Sequence, residues 1–266
     1  MKPLIVANWK CNPTTLKGAK LLFDLVKRGI KNVKNVEVVI CPPFPFILNL
    51  KSEILGAQPK AGRMRRVGCS LKLGAQDCFW EQSGAYTGEI SPKMLKDLGC
   101  QYVIIGHSER RRNLKETDEM VNKKLKVALK AGLRAILCVG STQREQEKEF
   151  KKIRIQVERA LSGFKKSNLK NLIITYEPIW AISTTKGGKI ATPREAREGA
   201  DFIRKVLIKL FDKNSAQKIR IIYGGSVDSS NIRGFLKEAQ MAGALVGAAS
   251  LKPKEFVKTV KEASRP

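Results

Sequence analysis

The side chains placed where they could do chemistry in this 266-residue chain include Asn8, Lys10, His107, Glu177 and Ser226. Glu177 closes a short, branched, uncharged run, Leu172-Ile173-Ile174-Thr175, which predicts a buried strand. A carboxylate at a strand's end can serve as a general base. Pro178 follows at once. It lacks an N–H and fixes φ, so the chain must leave the sheet there. Ser183-Thr184-Thr185-Lys186-Gly187-Gly188-Lys189 has the composition of a mobile loop. Thr192-Pro193-Arg194-Glu195 then opens a helix, with Thr192 as N-cap, Pro193 first in the helix and Glu195 third. A base under a closing loop, hinged at Pro178, would be built this way.

His107 is the chain's single histidine and follows the apolar run Tyr102–Ile105 and Gly106. Asn8 and Lys10 follow the first apolar run, a neutral donor beside a cation. Two turns of small residues, Gly224-Gly225-Ser226 and Gly247-Ala248-Ala249-Ser250, can present backbone N–H groups to a phosphate. Each signal alone has an ordinary reading. Glu177 could be a solvated carboxylate at a turn, His107 a structural histidine, Asn8 a turn cap and Gly-Gly-Ser merely a turn. The weight lies in their meeting on one face.

That meeting depends on the elements. Strands are predicted at Pro3–Asn8, Val36–Cys41, Leu71–Ala75, Tyr102–Ile105, Arg134–Val139, Leu172–Thr175, Lys218–Tyr223 and Ala244–Gly247. Helices are predicted at Thr15–Arg28, Pro45–Leu55, Pro92–Leu98, Thr117–Ala131, Thr142–Leu161, Pro193–Leu210, Asn231–Glu238 and Pro253–Ala263. Strict alternation implies a parallel sheet with helices outside it. Eight repeats in this length favour one closed α/β domain, 1–266: a (β/α)8 barrel of eight parallel strands surrounded by helices. The competing open dinucleotide-binding sheet would want Gly-x-Gly-x-x-Gly after a strand, and none occurs. In such a barrel the C-terminal strand ends carry the site. Asn8, Lys10, His107, Glu177, Ser226 and Gly247 all fall there.

Composition sets further bounds. Hydrophobic residues make up 42% of the chain, enough for a sizeable core. No apolar run approaches the roughly 18 residues of a membrane span, and the N-terminus lacks a signal peptide's apolar segment. A cytoplasmic protein is expected. The six cysteines show no CxxC pair and are expected as buried free thiols. With 51 Lys+Arg against 24 Asp+Glu the net charge is +27. The excess predicts attraction to anions and is spread along the chain.

At the chemical residues the sequence closely resembles the triosephosphate isomerase family. The matching stretches are Ala7-Asn8-Trp9-Lys10, Gly74-Ala75-Gln76-Asp77, Gly84-Ala85-Tyr86-Thr87-Gly88-Glu89-Ile90, Ile105-Gly106-His107-Ser108-Glu109-Arg110-Arg111, Cys138-Val139-Gly140, Tyr176–Ile182, Tyr223-Gly224-Gly225-Ser226-Val227 with Asn231, and Leu245-Val246-Gly247. The resemblance implies a TIM barrel that interconverts dihydroxyacetone phosphate and glyceraldehyde 3-phosphate in glycolysis and gluconeogenesis, without cofactor or metal. It implies Glu177 as the base, with Asn8 and neutral His107 facing the oxyanion and Lys10 adding charge. Glu109 would be a carboxylate beside Lys10. The phosphate would meet Ser183, Ser226, Gly247 and Ala248. The lid would run from Pro178 through Trp180, Ile182, Thr185 and Gly187. Thr87 would sit on an arm reaching the partner of a homodimer. Neither membrane nor nucleic acid is expected as a partner.

The chain departs from the family pattern in places. Ser183 and Thr185 replace lid glycines, and a few extra residues precede Ala191. The phosphate amide is therefore Ser183 by position or Gly187 by composition. Ala248 stands where the family has glycine, a strained choice if φ there is positive. Ser141 replaces a Glu that usually follows Cys-Val-Gly and steadies the open lid. The basic stretch Pro59–Arg66, with Lys60, Arg63, Arg65 and Arg66, is longer than the family needs. Two other classes remain: a basic barrel that binds RNA or another polyanion, and a degenerate isomerase kept for structure. The basic stretch lacks stacking aromatics, against the first. The complete set Asn8, Lys10, His107 and Glu177 speaks against the second.

Overall fold

The computed structural model describes residues 1–55, 70–182 and 190–265. Eight parallel strands close on themselves in chain order. They are β1 (Leu4–Asn8), β2 (Glu37–Cys41), β3 (Ser70–Ala75), β4 (Tyr102–Ile105), β5 (Arg134–Val139), β6 (Leu172–Tyr176), β7 (Arg220–Tyr223) and β8 (Gly243–Val246). The ring is sealed where Leu4 of β1 pairs with Gly243 of β8. The α-helices are α1 (Leu16–Gly29), α2 (Ile47–Leu55), α3 (Pro92–Asp97), α4 (Ser108–Asn113), α5 (Asp118–Lys130), α6 (Gln146–Ala160), α7 (Pro193–Leu210), α8 (Lys213–Lys218), α9 (Ile232–Lys237) and α10 (Pro253–Ser264).

Strand side chains alternate between two surroundings. Leu4, Val6, Val39, Cys41, Tyr102, Ile104, Ile136, Cys138, Ile173, Ile222 and Leu245 fill the inside of the barrel. The opposite parity, such as Ile5, Ala7, Val38, Ile40, Leu137, Ile174, Tyr176 and Tyr223, joins the larger core with the helices. Glu177 is in phase with Ile173 and Thr175, so the period of two carries it to the barrel axis at the strand's C-terminal end. The expected barrel is the observed one.

The other end of the barrel holds a polar cluster. Glu37 accepts hydrogen bonds from Lys72, from the Tyr102 hydroxyl at 2.6 Å and from Arg220 at 2.9 Å, with Arg134 also in reach at 3.2 Å. Burial alone pushes the Glu37 carboxyl up. The hydrogen bonds and the Lys72 charge outweigh it and bring its pKa down to about 2.

Several boundaries differ from the sequence expectation. The helix expected from Thr142 begins at Gln146, because the Ser141 hydroxyl accepts the Gln143 N–H and holds that turn out of the helix. Lys218 ends α8 and is not part of β7. The helix expected from Pro45 starts as a 3-10 turn, Phe44–Phe46, before α2. The expectation of buried thiols holds for Cys41, Cys78, Cys100 and Cys138, whereas Cys11 is exposed. Cys69 and the basic stretch 59–66 lie outside the described residues.

Candidate active site

The C-terminal strand ends surround a cavity of about 470 Å³. Asn8, Lys10, His107, Glu177, Ile182, Ser226, Gly247 and Ala248 all line it. The strand-end residues singled out from sequence are therefore brought together.

Glu177 is held from two sides. His107 Nε2 stands 3.0 Å from its Oε1, and the Ser108 N–H donates to its Oε2 at 3.1 Å. The residue is 2% exposed. Burial pushes the carboxyl up, but His107 and the Ser108 N–H outweigh that and hold its pKa below the usual carboxylate value.

His107 caps α4, which opens at Ser108. Its Nδ1 accepts the Glu109 N–H at 3.2 Å, so that nitrogen presents its lone pair and the ring's hydrogen sits on Nε2. Burial pulls the His107 pKa down. The Glu177 carboxylate and its hydrogen bond pull harder, and the net direction is up. The Glu109 charge adds to the upward pull, and the Lys10 ammonium opposes it.

Lys10 is fixed at both ends. Its ammonium pairs with Glu109 Oε1 at 2.6 Å. Its backbone has φ 54, a strained value for a residue with a side chain. Three contacts impose that conformation: Lys10 N donates to Asn8 Oδ1 at 3.1 Å, and Gln76 Nε2 donates to the carbonyls of Lys10 (2.8 Å) and Cys41 (2.9 Å). Asn8 thereby spends its oxygen on the Lys10 amide and keeps its NH₂ for the cavity. Gln76 appears in the sequence only within a matching stretch. Its bracing role needs the barrel's closure to be seen.

α4 is itself anchored. Arg110 pairs with Asp77 and Glu116, and Arg111 reaches the Gly106 carbonyl and Asp118. Gly106, at φ 74, takes a left-handed turn that frees His107 to cap the helix.

Beyond β8, Gly247 packs close to Lys10: a β-carbon there would stand 3.7 Å from the Lys10 ammonium. Ala248 opens a 3-10 turn, Ala248–Leu251, and is not among the described non-glycine residues with positive φ. The strain that its methyl group raised from sequence is absent. Ser226 lines the cavity, but its N–H and hydroxyl both donate to the Ala181 carbonyl, at 3.3 and 2.9 Å.

Of the expected lid residues, Pro178, Trp180 and Ile182 form a 3-10 turn and its flanks. Ser183, Thr185 and Gly187 lie outside the described residues. Ser141, in the place of the family's Glu, gives its carbonyl to the Ile179 N–H at 2.9 Å. A carboxylate reaches Trp180 all the same: Glu149 of α6 accepts its indole N–H at 3.1 Å. The sequence marks Glu149 only as one of many charges in the expected helix Thr142–Leu161. Thr87 is exposed, on the long stretch between β3 and α3.

A family profile described as triosephosphate isomerase matches residues 3–263. The chain belongs to the triosephosphate isomerase family. Curated members align along almost their full lengths. The triosephosphate isomerase of Geotalea uraniireducens is 45% identical over 262 residues, 98% of each chain. That of Dictyoglomus thermophilum is 45% identical over 262 residues, covering 98% of this chain and 99% of its own. That of Carboxydothermus hydrogenoformans is 44% identical over 262 residues, 98% of each. The triosephosphate isomerase signature and the cavity thus coincide: Asn8, Lys10, His107 and Glu177 of the matching stretches are the residues that line it.

Proposed function

We propose that this chain, acting as one barrel domain over 1–266, interconverts dihydroxyacetone phosphate and D-glyceraldehyde 3-phosphate through an enediolate, with Glu177 as the base. The observation that carries this reading is the convergence of a buried carboxylate and the Nε2–H of His107 on one cavity, 3.0 Å apart. The substrate carbonyl oxygen competes for the His107 Nε2–H and meets the Asn8 NH₂. Glu177, losing His107, remains buried and becomes more basic. It takes a proton from the carbon next to the carbonyl. Negative charge develops on oxygen against His107 and Asn8, with the Lys10 ammonium nearby. Glu177 then returns the proton to the neighbouring carbon. These steps use a base and hydrogen-bond donors, so metal and cofactor have no part in them.

The phosphate is assigned to the N–H groups around Gly247 and Ala248, beside Lys10. Ser226 joins when its donors exchange the Ala181 carbonyl for phosphate oxygen. Ser183 is the remaining assigned contact, on the family pattern.

One exposed stretch supports a homodimer. The stretch between β3 and α3 is exposed around Thr87, and Tyr86 on it is 45% exposed. The cytoplasm is the proposed location; no helix among the described residues is long and apolar enough to cross a membrane. A coupled assay with purified protein and glyceraldehyde 3-phosphate tests the activity. Absence of turnover by well-folded protein would sink the reading. Light scattering at micromolar concentration tests the dimer, and a monomer mass rejects it.

A further inference from the structure

Two donors flanking Glu177 in the chain converge on a single carboxylate oxygen. The Tyr176 hydroxyl donates to Glu149 Oε1 at 2.8 Å, and the Trp180 indole N–H donates to the same atom at 3.1 Å. Glu149 comes from α6 and is 4% exposed. Tyr176 is pressed from behind by α7: a β-carbon at Gly199 would stand 2.5 Å from its ring. The backbone between the donors is pinned as well, by Glu177 N to Val139 O (2.8 Å) and Ile179 N to Ser141 O (2.9 Å).

A second side chain from the same stretch ties the far end of the connection. The Arg144 guanidinium lies 5.1 Å from the Trp180 ring centroid and 3.4 Å from Glu195 Oε1. Glu195 Oε2 in turn accepts the N–H of Thr192, the N-cap of α7. Residues 144–149 therefore hold the chain where it leaves the base and where it re-enters the helix.

The Glu149 carboxylate has two neutral donors, and no ion pair to it is present among the described residues. Burial pushes its pKa up, and the two hydrogen bonds only partly oppose this. A buried carboxylate without a cation is a poor means of stabilising a fold, since an apolar side chain would pack there at less desolvation cost. Its value must lie in direction. One oxygen can accept two donors at a fixed angle, which an apolar contact cannot do.

We infer that Glu149 is a positioning residue for the isomerase, fixing Tyr176 and Trp180 so that the Glu177 carboxylate projects onto His107 and the substrate carbon. Arg144 is its auxiliary, linking Trp180 to the cap of α7. The inference rests on the isomerase reading and goes beyond it, because neither residue touches the cavity.

The test is steady-state kinetics on Glu149→Leu and Glu149→Gln beside the wild type. Glu149→Leu is expected to lower kcat by about 10- to 100-fold, the scale of a displaced catalytic group. KM for glyceraldehyde 3-phosphate should stay within about threefold. The acid limb of kcat/KM should move to higher pH, because a displaced Glu177 loses the His107 and Ser108 contacts that hold its pKa down. Glu149→Gln keeps one acceptor oxygen and should fall between the two. A purely structural role would lower the melting temperature and leave the acid limb in place.

Should Glu149→Leu fail to fold, Tyr176→Phe and Trp180→Phe, each deleting one donor, carry the test with Glu149→Gln. Folded variants with kcat within about threefold of wild type and an unmoved acid limb overturn the inference. Wild-type turnover in the same assay separates the two claims. Its absence sinks the isomerase reading itself, whereas turnover by the wild type with unaltered variants sinks only the role of Glu149.

Discussion

His107 Nε2 and Glu177 Oε1 stand 3.0 Å apart in a pocket where both side chains are almost fully buried. Each keeps the other oriented. In the proposed reaction this contact rests the base on the group that would face the substrate oxygen, and substrate would have to come between them.

Glu177→Gln keeps the shape and removes the basicity. We expect kcat to fall by at least ~10²–10⁴-fold, the usual span for a general base, with KM changing far less. A purified Gln variant that keeps more than about a tenth of the wild-type rate takes the role away from Glu177.

His107→Gln should move the pH profile as well as the rate. Against the upward push of burial, His107 leads the contacts that hold the Glu177 pKa down. Removing it raises that pKa, so more of the base is protonated at a given acidic pH. The acid limb of kcat/KM is expected at higher pH than in the wild type. A limb that stays put or moves to lower pH contradicts the pairing seen here.

Gln76→Leu should loosen Lys10 without touching it chemically. The change leaves the carbonyls of Lys10 and Cys41 without their donor and lets φ at Lys10 relax. A loss of kcat/KM of about tenfold or more is expected, with most of it in KM for the phosphorylated substrate. Unchanged kinetics in a folded variant would show that the strained backbone holds without Gln76.

The Glu37 cluster should appear in acid stability and not in turnover. Its carboxyl ionises at about 2 in the folded chain against an ordinary 4.5. The stabilisation is therefore complete above about pH 4.5 and is lost as pH falls toward 2, at about 3 kcal/mol in all. Glu37→Gln should lower the melting temperature at neutral pH, leaving Lys72, Arg134 and Arg220 crowded without their anion. The wild-type advantage should shrink as pH is lowered through that window. An equal melting temperature for the two proteins at pH 7 would exclude it.

The strand order, the barrel and the gathering of Asn8, His107 and Glu177 at one cavity were legible because each rests on local signals. Branched runs such as Leu172–Tyr176 read as strands, and Glu177, His107 and Asn8 end theirs. Glu37, Glu149 and Gln76 were not legible. A lone Glu opening Glu37–Cys41, or one among the charges of Gln146–Ala160, looks solvated until closure of the barrel decides which face is inside. Gln76 braces Lys10 across 66 positions, and no local pattern records such a contact. The strain that a positive φ would bring at Ala248 is absent, because the chain enters a 3-10 turn there.

The cluster at Glu37 and the pocket at Glu177 occupy opposite mouths of one tube, with apolar layers such as Val6, Ile104 and Ile222 between them. Heritable change can therefore act on the two mouths separately. A library randomised at Lys72, Tyr102, Arg134 and Arg220 should yield variants sorted by heat tolerance, most of them turning over substrate at the parental rate wherever they fold. A lineage moving to hotter or more acidic surroundings could rewrite one mouth of this barrel and leave the other as it found it.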